Sequence, residues 1–238
     1  MNFSFSDSHI HIYERPFEID YRCLYLVPTY SFESISKSLT FKSRFGNLSN
    51  IKYAIGIAPQ ELIFGNFNLH DLEKLSHYIE SKKQEFNAIG EIGLDLHYGK
   101  TEDLPKMLKL FEEQLRLAEK FRFPVIIHSR KAEHLIYDIV KSYNVKGIMH
   151  AFGGTLEEAK KLVDLGYIIS IPPIKSKERK KIIKEIEIES LLVETDYPFI
   201  AKDHQEIFNS IKIVSEYKDI SEEEVMALTL RNLIKLLI

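Results

Sequence analysis

The chain has 238 residues, 45% hydrophobic and 28% charged, with a formal net charge of −3. That suffices for one large apolar core and gives no global positive field to draw the protein onto nucleic acid, so any phosphate contact must come from a local patch. A single cysteine, Cys23, excludes an intrachain disulfide framework, and no apolar window reaches the length of a membrane span; the chain reads as soluble and cytoplasmic.

The first apolar run, residues 3–10, leads into His9-Ile10-His11. Read as a strand, it puts both imidazoles on one face, because side chains two apart on a strand point the same way. Further short apolar runs follow at 22–27, 53–57, 88–92, 124–127, 147–149, 167–171 and 191–193. Most are continuous rather than alternating, as expected of strands buried on both faces. Segments with helical period lie at 31–45, 69–86, 105–121, 131–143, 155–165, 175–186, 203–217 and 221–237. In 105–121 the residues Leu108, Phe111, Leu115, Ala118 and Phe121 fall at i, i+3 and i+4 spacings. Thr155 with Glu158, and Ser221 with Glu224, form capping boxes that mark two helix starts.

Eight strands alternating with helices predict an α/β fold, a (β/α)8 barrel of TIM type, as one domain over residues 1–238. Only about ten residues join the first two strands, too few for a crossover with a full helix, so the first β–α unit is shortened. The rival architecture, an open doubly wound sheet, lacks a glycine-rich dinucleotide turn to support it.

In such a barrel the chemistry sits where strands end. The strand ends supply His9 and His11, then Glu91, His128, His150 and Asp196. Burying charged groups without partners costs on the order of several kcal/mol, and ligation of a metal removes that cost. Six ligands exceed the four of a tetrahedral zinc and fit two divalent ions sharing a carboxylate. Histidines mixed with carboxylates leave zinc, manganese, cobalt or magnesium open, magnesium being the least suited.

The stretches Asp7-Ser8-His9-x-His11, Gly90-Glu91-Ile92-Gly93-Leu94-Asp95, His128-x-Arg130, His150-x-Phe152-x-Gly154 and Glu194-Thr195-Asp196 occur in that order. This pattern resembles the TatD family of metal-dependent deoxyribonucleases, within the amidohydrolase-like barrels. The resemblance implies one ion on His9, His11 and Asp196, a second on His128 and His150, and Glu91 bridging both. It implies hydrolysis of DNA phosphodiester bonds, often as an exonuclease, by a metal-activated water whose proton Asp196 accepts or orients. Asp7, Asp95 and Glu194 are expected to orient ligands or loops by hydrogen bonds.

Two departures from the family concern the substrate. Where the family's third strand commonly runs into Gly-x-His-Pro-His, this chain reads Gly56-Ile57-Ala58-Pro59-Gln60. Where the family carries an Arg-Asn loop after Glu-Thr-Asp-x-Pro, Tyr197-Pro198-Phe199-Ile200 leads almost directly into the last helices. The shell that holds substrate phosphate is therefore reduced. Gln60, Arg130, Lys175, Lys177 and His204 are the remaining candidates to contact it. A second reading keeps the barrel and metals but cleaves an amide, ester or lactone; Glu91, in place of a bridging lysine, favours phosphodiesters. A third, a non-catalytic nucleic-acid-binding member, is opposed by the retention of all six proposed ligands. No obligate protein partner is evident.

Overall fold

The computed structural model describes residues 3–45 and 48–237. Its strands are β1 (Phe5–Asp7), β2 (Cys23–Val27), β3 (Ile51–Ile55), β4 (Ala88–Asp95), β5 (Val125–Arg130), β6 (Gly147–His150), β7 (Ile168–Ile171) and β8 (Leu191–Val193). All neighbours pair in parallel, in chain order from β1 to β8. Backbone bonds from Ser8 N to Val193 O (3.0 Å) and from Asp196 N to His9 O (2.8 Å) join the two ends, and the sheet rolls into the expected barrel. The helices are α1 (Phe32–Phe45), α2 (Pro59–Ile63), α3 (Leu72–Lys82), α4 (Leu104–Phe121), α5 (Glu133–Val140), α6 (Leu156–Asp164), α7 (Lys177–Glu185), α8 (Ile207–Lys218) and α9 (Glu222–Leu237). No helix joins β1 to β2, as the short connection requires. Helix α2 was not legible in the sequence: it is a single turn started by Pro59 at its first position, too short to show a period.

The strands read as continuous apolar runs because each serves two cores. Leu24, Leu26, Ala54, Ala88, Ile126, Ile148 and Leu192 fill the barrel interior. Helix α9 packs across the β1–β8 seam and adds Leu230 and Leu233 to that cluster. Residues of opposite parity, among them Tyr25, Ile55, Val125, Met149, Ile171 and Val193, face the helix layer.

Strict parity would not build the mouth. Phe5 of β1 points outward onto Phe208 of α8 (ring centroids 5.4 Å apart), while Ser8 meets Ser170 inside the barrel (2.7 Å). An uninterrupted strand would therefore carry His9 and His11 outward with Phe5 and Asp7. The strand expected over 3–10 instead ends at Asp7. There Asp7 Oδ1 accepts from His9 N (3.2 Å), and the chain bends so that both imidazoles enter the mouth. Strand β4 solves the same problem with a shift of register between Ile89 and Ile92. Ile89, Ile92 and Leu94 all face outward, so one extra residue is absorbed, and Glu91 and Asp95 turn inward. The strands meet closely here: a Cβ on Gly90 would lie 2.6 Å from Ile126 Cβ, and one on Gly56 would lie 2.7 Å from Gly90 C.

Candidate metal centre

Five side chains converge on one point. His9 Nε2 lies 3.2 Å from His11 Nε2, 3.5 Å from Glu91 Oε2 and 3.7 Å from Asp196 Oδ1. His11 Nε2 lies 3.4 Å from Asp196 Oδ1, and His150 Nε2 lies 3.7 Å from Asp196 Oδ2. Two triplets, His9–His11–Asp196 and His9–Glu91–His150, have ligand atoms all within 4.8 Å of one another. His128 belongs to neither triplet but touches the second. Its Nδ1 lies 2.9 Å from the outer oxygen of Glu91, while its Nε2 meets Asp95 Oδ2 (3.1 Å) and the Gln60 amide (2.9 Å). The geometry thus brings together all six residues expected from the sequence. It groups His150 with His9, however, and leaves His128 on the far side of Glu91.

The residues behind these ligands fix their orientation. Tyr13 donates its hydroxyl proton to Pro28 O (2.8 Å), so the phenol oxygen accepts from His11 Nδ1–H at 3.0 Å. In the neutral ring this turns the Nε2 lone pair toward the centre. Glu194 Oε1 accepts from Ala151 N (2.7 Å) and lies 3.1 Å from His150 Nδ1, an ion contact too bent for a hydrogen bond. Asp7 accepts from Thr195 N (3.0 Å) and Thr195 Oγ1 (2.6 Å) and ties the end of β1 to the turn after β8. Asp95 accepts from His97 N (2.8 Å) and Tyr98 N (3.0 Å), holding the loop after β4 as expected. Asp196 sits at φ 49°, a left-handed conformation that Asp tolerates better than most residues.

The electrostatics are sharply divided. Burial lowers the pKa of His150, but Glu194 and Asp196 outweigh it and raise the group to about 10. Burial likewise opposes His128, yet hydrogen bonds to Asp95 and Glu91 lift it to about 9. Burial, reinforced by the charge of His150, lowers His9. Glu91 is held well below its usual value despite burial, chiefly by hydrogen bonds to His128 and His9. Asp196 is also lowered against burial, chiefly by the charge of His150. Near neutral pH the ionised carboxylates therefore hold two imidazolium protons. A divalent cation suits this donor set: it would replace those protons, and it would separate the facing Nε2 atoms of His9 and His11.

A cavity of about 880 Å³ opens above the centre. Gln60, Glu91, Arg130, His150 and Asp196 line it, and His128 forms part of its wall. Of the other expected substrate contacts, Lys175, Lys177 and His204 do not line it. Lys175 pairs with Glu216 on the outer surface (2.5 Å), Lys177 is exposed, and His204 stacks on Phe17 (ring centroids 3.8 Å). The basic run instead contributes Arg179, which donates to Ile174 O (2.7 Å) and Phe152 O (3.1 Å) and lines the cavity. A signal for this was present. Arg179, Ile182 and Ile183 share the i, i+3, i+4 face that α7 buries, whereas Lys177 lies off that face and Lys175 precedes the helix. The aromatic residues Tyr30, Phe64, Tyr98 and Phe199 of the cavity rim also escaped the sequence reasoning.

A parallel barrel whose strand ends gather, beneath an open cavity, imidazoles and carboxylates that could hold a metal has the architecture of a metal-dependent hydrolase. The family profile described as "TatD related DNase" matches residues 6–237, and the chain belongs to that family. The human protein named deoxyribonuclease TATDN3 is 32% identical over 193 residues, which cover 76% of this chain and 70% of that protein. YjjV of Escherichia coli, an uncharacterized metal-dependent hydrolase, is 32% identical over 183 residues, covering 73% and 67%. The crystal structure of YjjV superposes with a TM-score of 0.86 at 25% identity, covering 100% of this chain and 99% of that one. An organophosphorus hydrolase variant, at TM-score 0.62 and 12% identity, shares the fold over 99% of this chain and 93% of that one. No helix among the described residues is long and apolar enough to cross a membrane.

Proposed function

We propose that this protein is a divalent-metal-dependent phosphodiester hydrolase acting on DNA, with water as the nucleophile. The observation that carries the reading is the cluster of His9, His11, Glu91, His150 and Asp196, with His128 against Glu91, at the floor of an open cavity. The six residues would hold two ions drawn from zinc, manganese, cobalt or magnesium. When bound, such ions acidify a coordinated water and offset the negative charge that gathers on a phosphoryl group.

The chain's own residues then have separable tasks. His11, fixed by Tyr13, and His150, backed by Glu194, present ring nitrogens that need no reorientation. Asp196 is kept ionised and lines the cavity, so one of its oxygens accepts the proton of the attacking water. Arg130 and Arg179 on the cavity wall supply fixed positive charge for the phosphate, and Gln60 supplies an amide in place of an imidazole. The human relative named as a deoxyribonuclease supports DNA as the substrate.

The test is hydrolysis of end-labelled DNA by metal-stripped protein to which each of the four metals is restored. The Glu91→Gln variant is run alongside. Metal-dependent shortening that the variant lacks is the expected result. Stoichiometric metal binding without hydrolysis of DNA or of bis(p-nitrophenyl) phosphate would overturn the reading, and turnover of an amide or lactone panel would then redirect it.

A further inference from the structure

The large apolar side chains exposed on this protein are not scattered. Of the seven among the described residues, four line the cavity above the centre: Phe64 (58% exposed), Tyr98 (50%), Phe199 (57%) and Ile174 (46%). Exposed aromatic surface concentrated at one cavity marks a place where something apolar docks. Resting on the phosphodiester reading, we infer that these residues form two aromatic plates that stack on unpaired nucleobases on either side of the scissile phosphate.

The placement of the plates argues for this occupant. Tyr98 follows β4, and Phe199 follows β8. In a ring of eight strands in sequential order, β4 and β8 are diametrically opposed. Glu91 within β4 and Asp196 just after β8 stand in the metal centre, so the two aromatic residues rise on opposite rims with the chemistry between them. Each plate is packed against neighbours. Phe64 meets the Tyr98 ring edge-on (centroids 5.7 Å), and the Arg130 guanidinium lies 5.2 Å from the Tyr98 centroid. Tyr30 and His11 meet the Phe199 ring edge-on at 5.7 Å and 4.9 Å. Even so packed, Tyr98 stays 50% and Phe199 57% exposed, so each keeps ring surface open to an incoming base. The arginine beside the first plate supplies positive charge where a backbone phosphate adjoining a stacked base would lie.

The sequence shows why such a grip is needed here. Ala58 stands where the family pattern has an imidazole, and no arginine follows Asp196 closely in the chain. Polar hold on the phosphate is reduced, while aromatic surface sits on the opposing rims. Stacking on side chains requires a base whose face is free. Interior bases of a duplex are covered by their neighbours, so this site selects single strands, frayed ends or unpaired tails.

The test is binding. A short phosphorothioate-linked thymidine oligomer, which resists cleavage, is titrated against the full chain with manganese, beside an abasic oligomer of the same length and charge. The thymidine oligomer is expected to bind about a hundredfold more tightly, the contribution of two stacked bases at about tenfold each. Tyr98→Ala and Phe199→Ala should each remove about tenfold from thymidine-oligomer affinity. Tyr98→Phe should retain it, and abasic binding should be equal across these proteins. Equal affinity of the wild type for both oligomers, or no affinity for either, overturns the plates. Hydrolysis of bis(p-nitrophenyl) phosphate is scored separately and tests the hydrolase reading, because that compound has no base. Base-dependent binding without hydrolysis would keep the plates and remove the enzyme; hydrolysis without base dependence would do the reverse.

Discussion

Glu194→Gln separates charge from shape at the metal centre. The substitution keeps an oxygen for the Ala151 N–H, which Glu194 accepts at 2.7 Å, and keeps an oxygen near His150 Nδ1 at 3.1 Å. What disappears is the leading cause of the elevated pKa of His150, about 10. A metal entering His150 at neutral pH must displace that proton. The handicap is roughly three pKa units, about 4 kcal/mol at about 1.4 kcal/mol per unit. In the variant the proton leaves at lower pH, so the handicap shrinks. The ring also becomes a weaker donor, and loss of such a partner typically costs about 10- to 100-fold in affinity. The two effects oppose each other at low pH and part company as pH rises. In the wild type, the logarithm of apparent metal affinity should climb by about one unit per pH unit from the His150 proton alone between pH 6 and pH 9. In the variant that contribution should flatten once the ring is already neutral, and the affinity gap between the two proteins should widen with pH. Competition titrations against a chromophoric chelator, with proton release measured in weak buffer, read both quantities. Parallel pH slopes for the two proteins would show that Glu194 does not set the proton that the metal displaces.

Three further outcomes are expected. Asp7 (about 8, raised by burial), His128 (about 9) and His150 (about 10) all titrate above their unfolded values. The unfolded chain thus holds fewer protons, and the metal-free protein should lose stability as pH rises from neutrality through about 10; a flat or rising melting temperature would contradict this. Gly90→Ala puts a Cβ 2.6 Å from that of Ile126 and should destabilise by about 1–3 kcal/mol in urea unfolding, and an unchanged midpoint would mean that β4 can move aside. Arg130→Gln should reduce the salt dependence of single-stranded oligonucleotide binding by about 0.7 in log–log slope, whereas Lys175→Gln, already paired with Glu216, should leave it unchanged.

The barrel was legible because strands buried on both faces leave uninterrupted apolar runs, and the helices between them leave a clear period. The ligands were legible because each stands at the end of such a run. How they reach the mouth was not. Alternation counted from Phe5 would send His9 and His11 outward, and only the bend after Asp7 turns them in. Glu91 faces inward through a register shift that no residue pattern announces. Arg179 is hard to single out because Lys175, Lys177, Lys180 and Lys181 surround it in the chain, and only the buried face of α7 sets it apart. The aromatic rim was illegible because loop residues have no period, and only the closed ring sets β4 against β8.

The closure of that ring has a consequence for assembly. Asp7 and Thr195, 188 residues apart, share two hydrogen bonds at the seam, and His9 and His11 meet Asp196 beside them. An ion held by these three would clasp the first strand to the last, like the fastening of a bracelet. Such long-range closure comes at a high loop entropy, so it belongs late in folding. A chain emerging from the ribosome holds both histidines almost at once but lacks the carboxylate until β8 has been made. Binding at a site that exists only once the ring is closed would favour the closed chain by mass action.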